Sequence, residues 1–302
     1  MLDIPLAFSL LRAIHPGAAV VFVGDVDQLP SVGAGTFLRD LITSGRVRTT
    51  RLNTIFRQAN QSLIIRNSHR INEGHMLQLP DATDKEADFY FVERDEPEAV
   101  REALLTMLTD RIPKRLGCNP IDDIQVLTPM RRGALGTYEL NELIQERLNP
   151  GGDLLGPGIR FRRGDKVIQN TNNYDLNVYN GDVGKVIGID TETRQVRVKY
   201  GRETVLYPFE NLDELDTAYA ITIHKSQGSE YAAVVILMHT SHYIMLKRNL
   251  LYTAVTRGKK LVVLIGNKRA ILQAIRSSGE SERMTALGAW LTRPPEKSEL
   301  FD

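Results

Sequence analysis

The sequence predicts an α/β protein whose parallel sheet is interrupted once by a small β-barrel. Three observations lead there. Short apolar runs at residues 18–23 (AAVVFV), 124–127, 232–238 and 261–265 have the length and composition of strands buried on both faces, as parallel strands are. Segments with helical apolar spacing alternate with them, the order of βαβ construction. Between Asn149 and Asp216 the pattern changes to the short runs DKVIQN, GKVIGI, RQVRVKY and ETVLYPF, separated by Gly, Pro and Asn turn signals.

Taken in order, residues 1–14 read as a helix that tolerates Pro5 in its first turn and leads into the strand at 18–23. Residues 36–44 (TFLRDLITS) read as a helix ending at Gly45. Residues 47–58 (VRTTRLNTIFRQ) are an extended segment turning into a helix that continues over 62–71, and the polar stretch 72–88 is an exposed connection. A strand at 89–92 (FYFV), a helix at 97–108 with Val100, Leu104, Leu105 and Leu108 on one side, the strand at 124–127 and a helix at 138–148 follow. In the interrupting unit the asparagine-rich segment 170–182 is turn chemistry, with Asn180-Gly181 the sharpest hairpin signal. The α/β pattern resumes at Ala218, with helices at 247–256 and 268–277, and the tail from Gly279 is expected to be loosely held.

With 302 residues, 42% of them hydrophobic, the chain can bury a large core or two to three compact units. A net charge of +1 gives no global nucleic-acid signature, so a basic surface must come from local clusters. Residues 46–70 hold six arginines and no acid, residues 242–269 seven Lys or Arg and no acid, and residues 160–202 nine bases against five acids. Such runs are ordinarily solvated faces. The single cysteine, Cys118, excludes an internal disulfide and fits a reducing, cytoplasmic setting. The longest apolar run, eight residues from Tyr231 to Met238, is too short to cross a bilayer.

Four strings concentrate the chemistry. The run at 18–23 opens into GDVDQLPSVGAG, placing Asp25, Asp27 and Gln28 beyond a strand's carboxyl end, where α/β sheets bind ligands. The strand at 124–127 opens into TPMRRGALGT, in which Thr128, Arg131 and Arg132 are suited to phosphodiester oxygens without reading sequence. A basic loop that merely caps the sheet remains the alternative there. TAYAITIHKSQGSE at 217–230 and LLYTAVTRGKK at 250–260 complete the set. A lone histidine such as His224 is ordinarily structural, and only the whole string marks it out.

The first, third and fourth of these strings resemble motifs III, V and VI of the RecD/TraA family of superfamily-one DNA helicases, RLNTIFRQ at 51–58 resembles its motif IV, and TPMRRGALGT resembles a TPM-type segment on that family's DNA side. The resemblance covers most of the chain, from Gly24 to Gly266. It implies a RecA-like motor domain with an inserted SH3-like β-barrel, ATP and Mg²⁺ as cofactors, and 5′ to 3′ movement on single-stranded DNA. By the same resemblance Gln28, Arg57 and Arg257 meet the γ-phosphate, while Asp25, Gly228 and Glu230 lie on the nucleotide side. Thr128, Arg131, Thr222, His224, Lys225 and Ser226 lie on the DNA side.

The implied units are residues 1–48, the end of a first motor domain; 49–153 and 217–302, the second motor domain; and 154–216, the barrel. The barrel is expected to be removable without loss of a catalytic residue. No GxxxxGK[ST] string occurs in the chain, so the cradle for Mg²⁺ and the phosphates is expected in a preceding motor half, and the chain alone is expected to lack ATPase. That half, or recombination and repair proteins, are the expected partners, with no membrane and no metal site of the chain's own. Two other readings stand beside this one. A nuclease would need clustered carboxylates beyond Asp25 and Asp27. A non-catalytic module would grip nucleic acid or a partner without turnover, and the absent phosphate loop favours it for the chain as it stands.

Overall fold

A computed structural model describes residues 2–52, 61–81, 84, 86–152, 160–190, 192–277, 283 and 285–293. The first helix, α1 (Ile4–Ala13), starts where Asp3 accepts the Leu6 amide at 2.8 Å and Pro5 sits in the first turn. The second, α2 (Phe37–Ser44), stops at Gly45 in the left-handed region, φ 64°. Between them residues 18–23 carry no regular secondary structure, no described strand pairs with them, and Val21 and Val23 are 82% and 92% exposed. The expected buried strand is therefore corrected. Apolar β-branched residues favour an extended backbone, but a ladder also needs a neighbour for the amides, and none lies beside this segment.

Helix α3 (Leu63–Asn72) is capped by the Ser62 hydroxyl, which accepts the Ile65 amide, while Asp88 accepts the Leu63 and Ile64 amides at 2.8 and 3.2 Å. Strand β1 (Phe89–Glu93) leads to α4 (Pro97–Thr106), which continues through a π-helical turn at Met107–Arg111 into α5 (Ile112–Leu116). Pro113 explains the wider turn: its ring cannot donate and clashes with the carbonyl a turn back, and an inserted residue relieves both. Strand β2 (Ile124–Thr128) is buried throughout and is followed by α6 (Thr137–Leu148).

The interrupting unit has strands β3 (Lys166–Gln169), β4 (Val183–Asp190), β5 (Gln195–Tyr200), β6 (Glu203–Pro208) and β7 (Leu215–Thr217). They form one antiparallel sheet in the order β6-β5-β4-β3-β7, around Phe161, Val167, Val186, Val196, Val198, Tyr207 and Leu215. Among the described residues β6 and β7 do not pair, so hydrogen bonding does not close the sheet into a ring. The loop from β3 to β4 turns at Tyr174–Asn177, inside the Asn173–Val178 bridge and with Asn177 at φ 53°. Asn180-Gly181, expected as the hairpin turn, lies at its shoulder.

Strands β8 (Ala220–Thr222), β9 (Tyr231–Met238) and β10 (Gly258–Gly266), with helices α7 (Arg248–Val255) and α8 (Lys268–Arg276), complete the main layer. The sheet runs β1-β10-β9-β2-β8, every pair parallel, with apolar cores on both faces, as the unbroken apolar runs foretell. Thr128 stands in register with Thr222, so the loops after β2 and β8 leave the sheet side by side. The tail is not loose where it is described. Helix α9 (Leu287–Thr292) packs on α2, Thr285 donates to Asp40 at 2.9 Å, and Arg283 donates to the carbonyls of Ser31 and Gly33, both at 2.7 Å.

Candidate functional site

The loop at 25–30 docks on α7 and on the turn after β8. The Asp25 carboxylate accepts the Asp27 amide at 3.0 Å, the Gln28 side-chain amide at 3.0 Å and the Tyr252 hydroxyl at 2.9 Å. Burial, with Asp25 opposite, pushes the Tyr252 phenol well above its ordinary range, so it stays a donor. Thr253 accepts the Leu29 amide at 2.9 Å, and Gln227 donates to the Leu29 carbonyl at 2.7 Å. Asn72 holds Asp27 at 3.1 Å.

These bonds bring Gln28 against Arg257, two residues that are 229 positions apart in the chain. Arg257 is 6% exposed, and its Nε donates to the Thr253 carbonyl at 3.0 Å and its Nη1 to the Ser229 carbonyl at 2.9 Å. Its Nη2 donates to Gln28 Oε1 at 3.2 Å and Thr256 Oγ1 at 3.1 Å. Gly228, at φ 83°, makes the turn that presents Ser229 to this guanidinium. Glu230 is on the surface and paired with Lys259 at 2.9 Å, which holds its carboxyl below the usual range. Arg57 lies outside the described residues.

On the other side of the turn, His224 is half-buried and lines a cavity of about 720 Å³ with Gln227, Gly228, Lys247 and Asn249. Burial, reinforced by the Lys247 charge, lowers its pKa and so favours the neutral imidazole. Lys225 donates to Asn170 Oδ1, tying the turn to the small sheet. Its pKa is lowered by burial, partly offset by Asp216. A groove of about 310 Å³ is lined by Arg131, Tyr138, Arg160, Asp216, Thr222 and Lys225. Asp216 forms its hub, accepting from Arg160 at 2.8 Å, Asn170 at 2.9 Å and Arg131 at 3.3 Å, and the Arg131 guanidinium lies 5.2 Å over the Tyr138 ring.

Two of the expected DNA-side residues are buried. Thr128 is fully buried and donates its hydroxyl to the Leu135 carbonyl at 2.6 Å, and Ser226, equally buried, donates to Ile223 at 2.7 Å. Each hydroxyl closes the turn of its own loop and faces no solvent. Sequence reading missed Tyr252, Thr253, Gln227, Arg160 and Asp216. Tyr252 and Gln227 lay inside recognised strings, where a hydroxyl on an apolar helix face and an amide beside a glycine were the available signals.

Among the described residues no group of three or more His, Cys, Asp or Glu is placed to hold a metal ion. No described helix is long and apolar enough to cross a membrane.

Three family models match the chain: a UvrD-like helicase C-terminal domain over residues 217–265, an ATP-dependent RecD-like DNA helicase SH3 domain over 140–200, and an AAA domain over 1–93. The ATP-dependent RecD2 DNA helicase of Deinococcus radiodurans is 37% identical over 289 residues, covering 95% of this chain and 38% of that protein. The RecBCD enzyme subunit RecD of Mycobacterium tuberculosis is 31% identical over 306 residues, covering 95% of this chain and 52% of that protein. The chain thus spans between about two-fifths and half of these relatives' length. A Pif1 helicase from Bacteroides, solved in complex with ADP-AlF3 and ssDNA, superposes with a TM-score of 0.47 at 18% identity over 83% of this chain and 62% of that one.

The parallel sheet and the antiparallel insert make this a RecA-like α/β protein with an SH3-type insert. The chain belongs to the RecD-like helicase family.

Proposed function

We propose that this chain supplies the second motor domain, its insert and the end of the first motor domain to an ATP-dependent DNA helicase that moves 5′ to 3′ on single-stranded DNA. The observation behind the reading is the contact between Gln28 and Arg257, which joins the loop before α2 to the end of α7 at 3.2 Å. Such a pair senses and stabilises charge on a terminal phosphate, because a preorganised guanidinium favours the spread charge of phosphoryl transfer over the ground state. ATP with Mg²⁺, when bound, would supply the driving chemistry. From this chain, Arg257, Gln28 and Arg57 would face the terminal phosphate, and the backbone at Gly228 would stand nearby.

The division at 48/49, 153/154 and 216/217 belongs to the same proposal, with Thr217 still pairing in the small sheet. Arg131, Thr222, His224 and Lys225 would hold the strand, and the preceding motor half or repair and recombination proteins would be partners in a cytoplasmic setting. The test is direct. The purified chain should bind single-stranded DNA weakly and release no phosphate from ATP. DNA-stimulated hydrolysis by the chain alone would overturn the division of labour.

A further inference from the structure

The insert carries two aromatic rings that its own core does not use. Tyr174 is 75% and Tyr179 43% exposed, and the rings meet edge to face with centroids 6.1 Å apart. The loop that bears them is braced: Asn173 and Val178 exchange backbone bonds, the Asn172 side chain accepts the Asn180 amide at 3.0 Å, Asn173 accepts the Leu176 amide at 3.0 Å, and Asp182 accepts the Tyr179 amide at 2.8 Å. The Tyr179 hydroxyl donates to Asn177 at 2.8 Å. The loop leaves the sheet at Asn170, the residue that receives Lys225 and donates to Asp216 in the groove of Arg131 and Arg160. Residues 170–182 contain Asp175 and Asp182 and no Lys or Arg, so the loop repels phosphates and offers only ring faces and amides.

We propose that Tyr174 and Tyr179 form a base-stacking platform for single-stranded nucleic acid that continues from the groove of Arg131, Arg160 and Lys225. This rests on the reading of that groove as a nucleic-acid site. The groove takes the backbone and the platform takes one or two bases. A braced pair of rings loses little freedom on binding, and stacking tolerates any base because every base has a π face. The hydroxyls are bonded within the loop, which leaves the ring faces as the binding element.

The probe is a fluorescein-labelled oligothymidylate of about 20 nucleotides, titrated against the full chain at several salt concentrations. Tyr174→Ala with Tyr179→Ala should weaken binding by about tenfold or more, with the melting temperature and the slope of log K against log salt unchanged. Arg131→Ala or Arg160→Ala should lower that slope by about one. The double Tyr→Phe variant should bind like the parent, and on an oligonucleotide of abasic sites the Ala variant and parent should be equal. Unchanged binding by the Ala variant, a reduced salt slope, or loss in the Phe variant would each overturn the platform while leaving the groove intact. Failure of the parent chain to bind would remove both readings.

Discussion

Arg257 is at once a structural and a chemical residue. Two of its donors, on Nε and Nη1, are committed to the carbonyls of Thr253 and Ser229, whereas Nη2, shared by Gln28 and Thr256, can change partner without breaking either bond. In a protein that also carries a phosphate loop, Arg257→Ala should lower ATP turnover by about 10³- to 10⁵-fold and destabilise the fold by about 1–3 kcal/mol, because buried carbonyls lose their donor. Arg257→Lys keeps the charge but not the fork, and should recover little turnover. Steady-state phosphate release with a parallel urea titration separates the two losses. Retained turnover in the Lys variant would show that charge alone suffices.

Lys166 makes the opposite case, a charge the fold tolerates. It is 6% exposed, donates to the Ile124 carbonyl at 3.3 Å and lies 5.8 Å from the Tyr231 ring. Burial lowers its pKa from the ordinary 10.5 to about 8, with Asp122 and Asp123 opposing and Lys185 adding to the shift. Between about pH 8 and 10.5 the unfolded chain keeps a proton that the folded chain has released, so this group makes stability rise with pH across that window. Lys166→Met should stabilise the chain at pH 7 by about 1–3 kcal/mol and remove that rise. Urea unfolding at two pH values across the window checks it, and an equal pH response in parent and variant would refute it.

At the scale of elements, the insert is less separable than its alternating runs suggest. Asp165, fully buried, accepts from Asn149 at 2.7 Å, from the Tyr219 hydroxyl at 2.7 Å, from the Arg162 amide at 2.7 Å and from Gln145. Asn149, Gln145 and Tyr219 belong to the main layer, so removing residues 160–216 takes the acceptor from the buried Gln145 and Tyr219 and the half-buried Asn149, at about 1–3 kcal/mol for each group that stays buried. A plain deletion should therefore melt well below the parent, and adding Tyr219→Phe and Gln145→Leu should restore part of the loss. A deletion that melts with the parent would mean the latch contributes nothing.

The same elements show what the sequence makes legible. β2, β9 and β10 could be placed because a fully apolar run states its own burial, and α2 because Gly45 marks its end. The segment at 18–23 looked like a strand for the same reason and is not one, since pairing depends on a partner that local pattern does not contain. Thr128 and Ser226 could not be told from solvent-facing hydroxyls, because a hydroxyl in a basic string reads alike whether it serves a ligand or its own turn. The meeting of Gln28 and Arg257 was implied only by resemblance. Tyr252 on Asp25 and Arg283 on the loop at 31–33 are contacts between distant segments and leave no local trace.

For the whole molecule, the placement of the last described segment has a mechanical consequence. Arg283 and α9 sit on the unit of α1 and α2, whereas Ser277 ends α8 in the unit of the parallel sheet. Six peptide bonds separate Ser277 from Arg283, a contour of about 20 Å at full extension. That contour is a leash. Any stroke that parts the two units farther than it reaches must first peel Arg283 off the carbonyls of Ser31 and Gly33, so tension on the leash is delivered to the loop that holds Gln28.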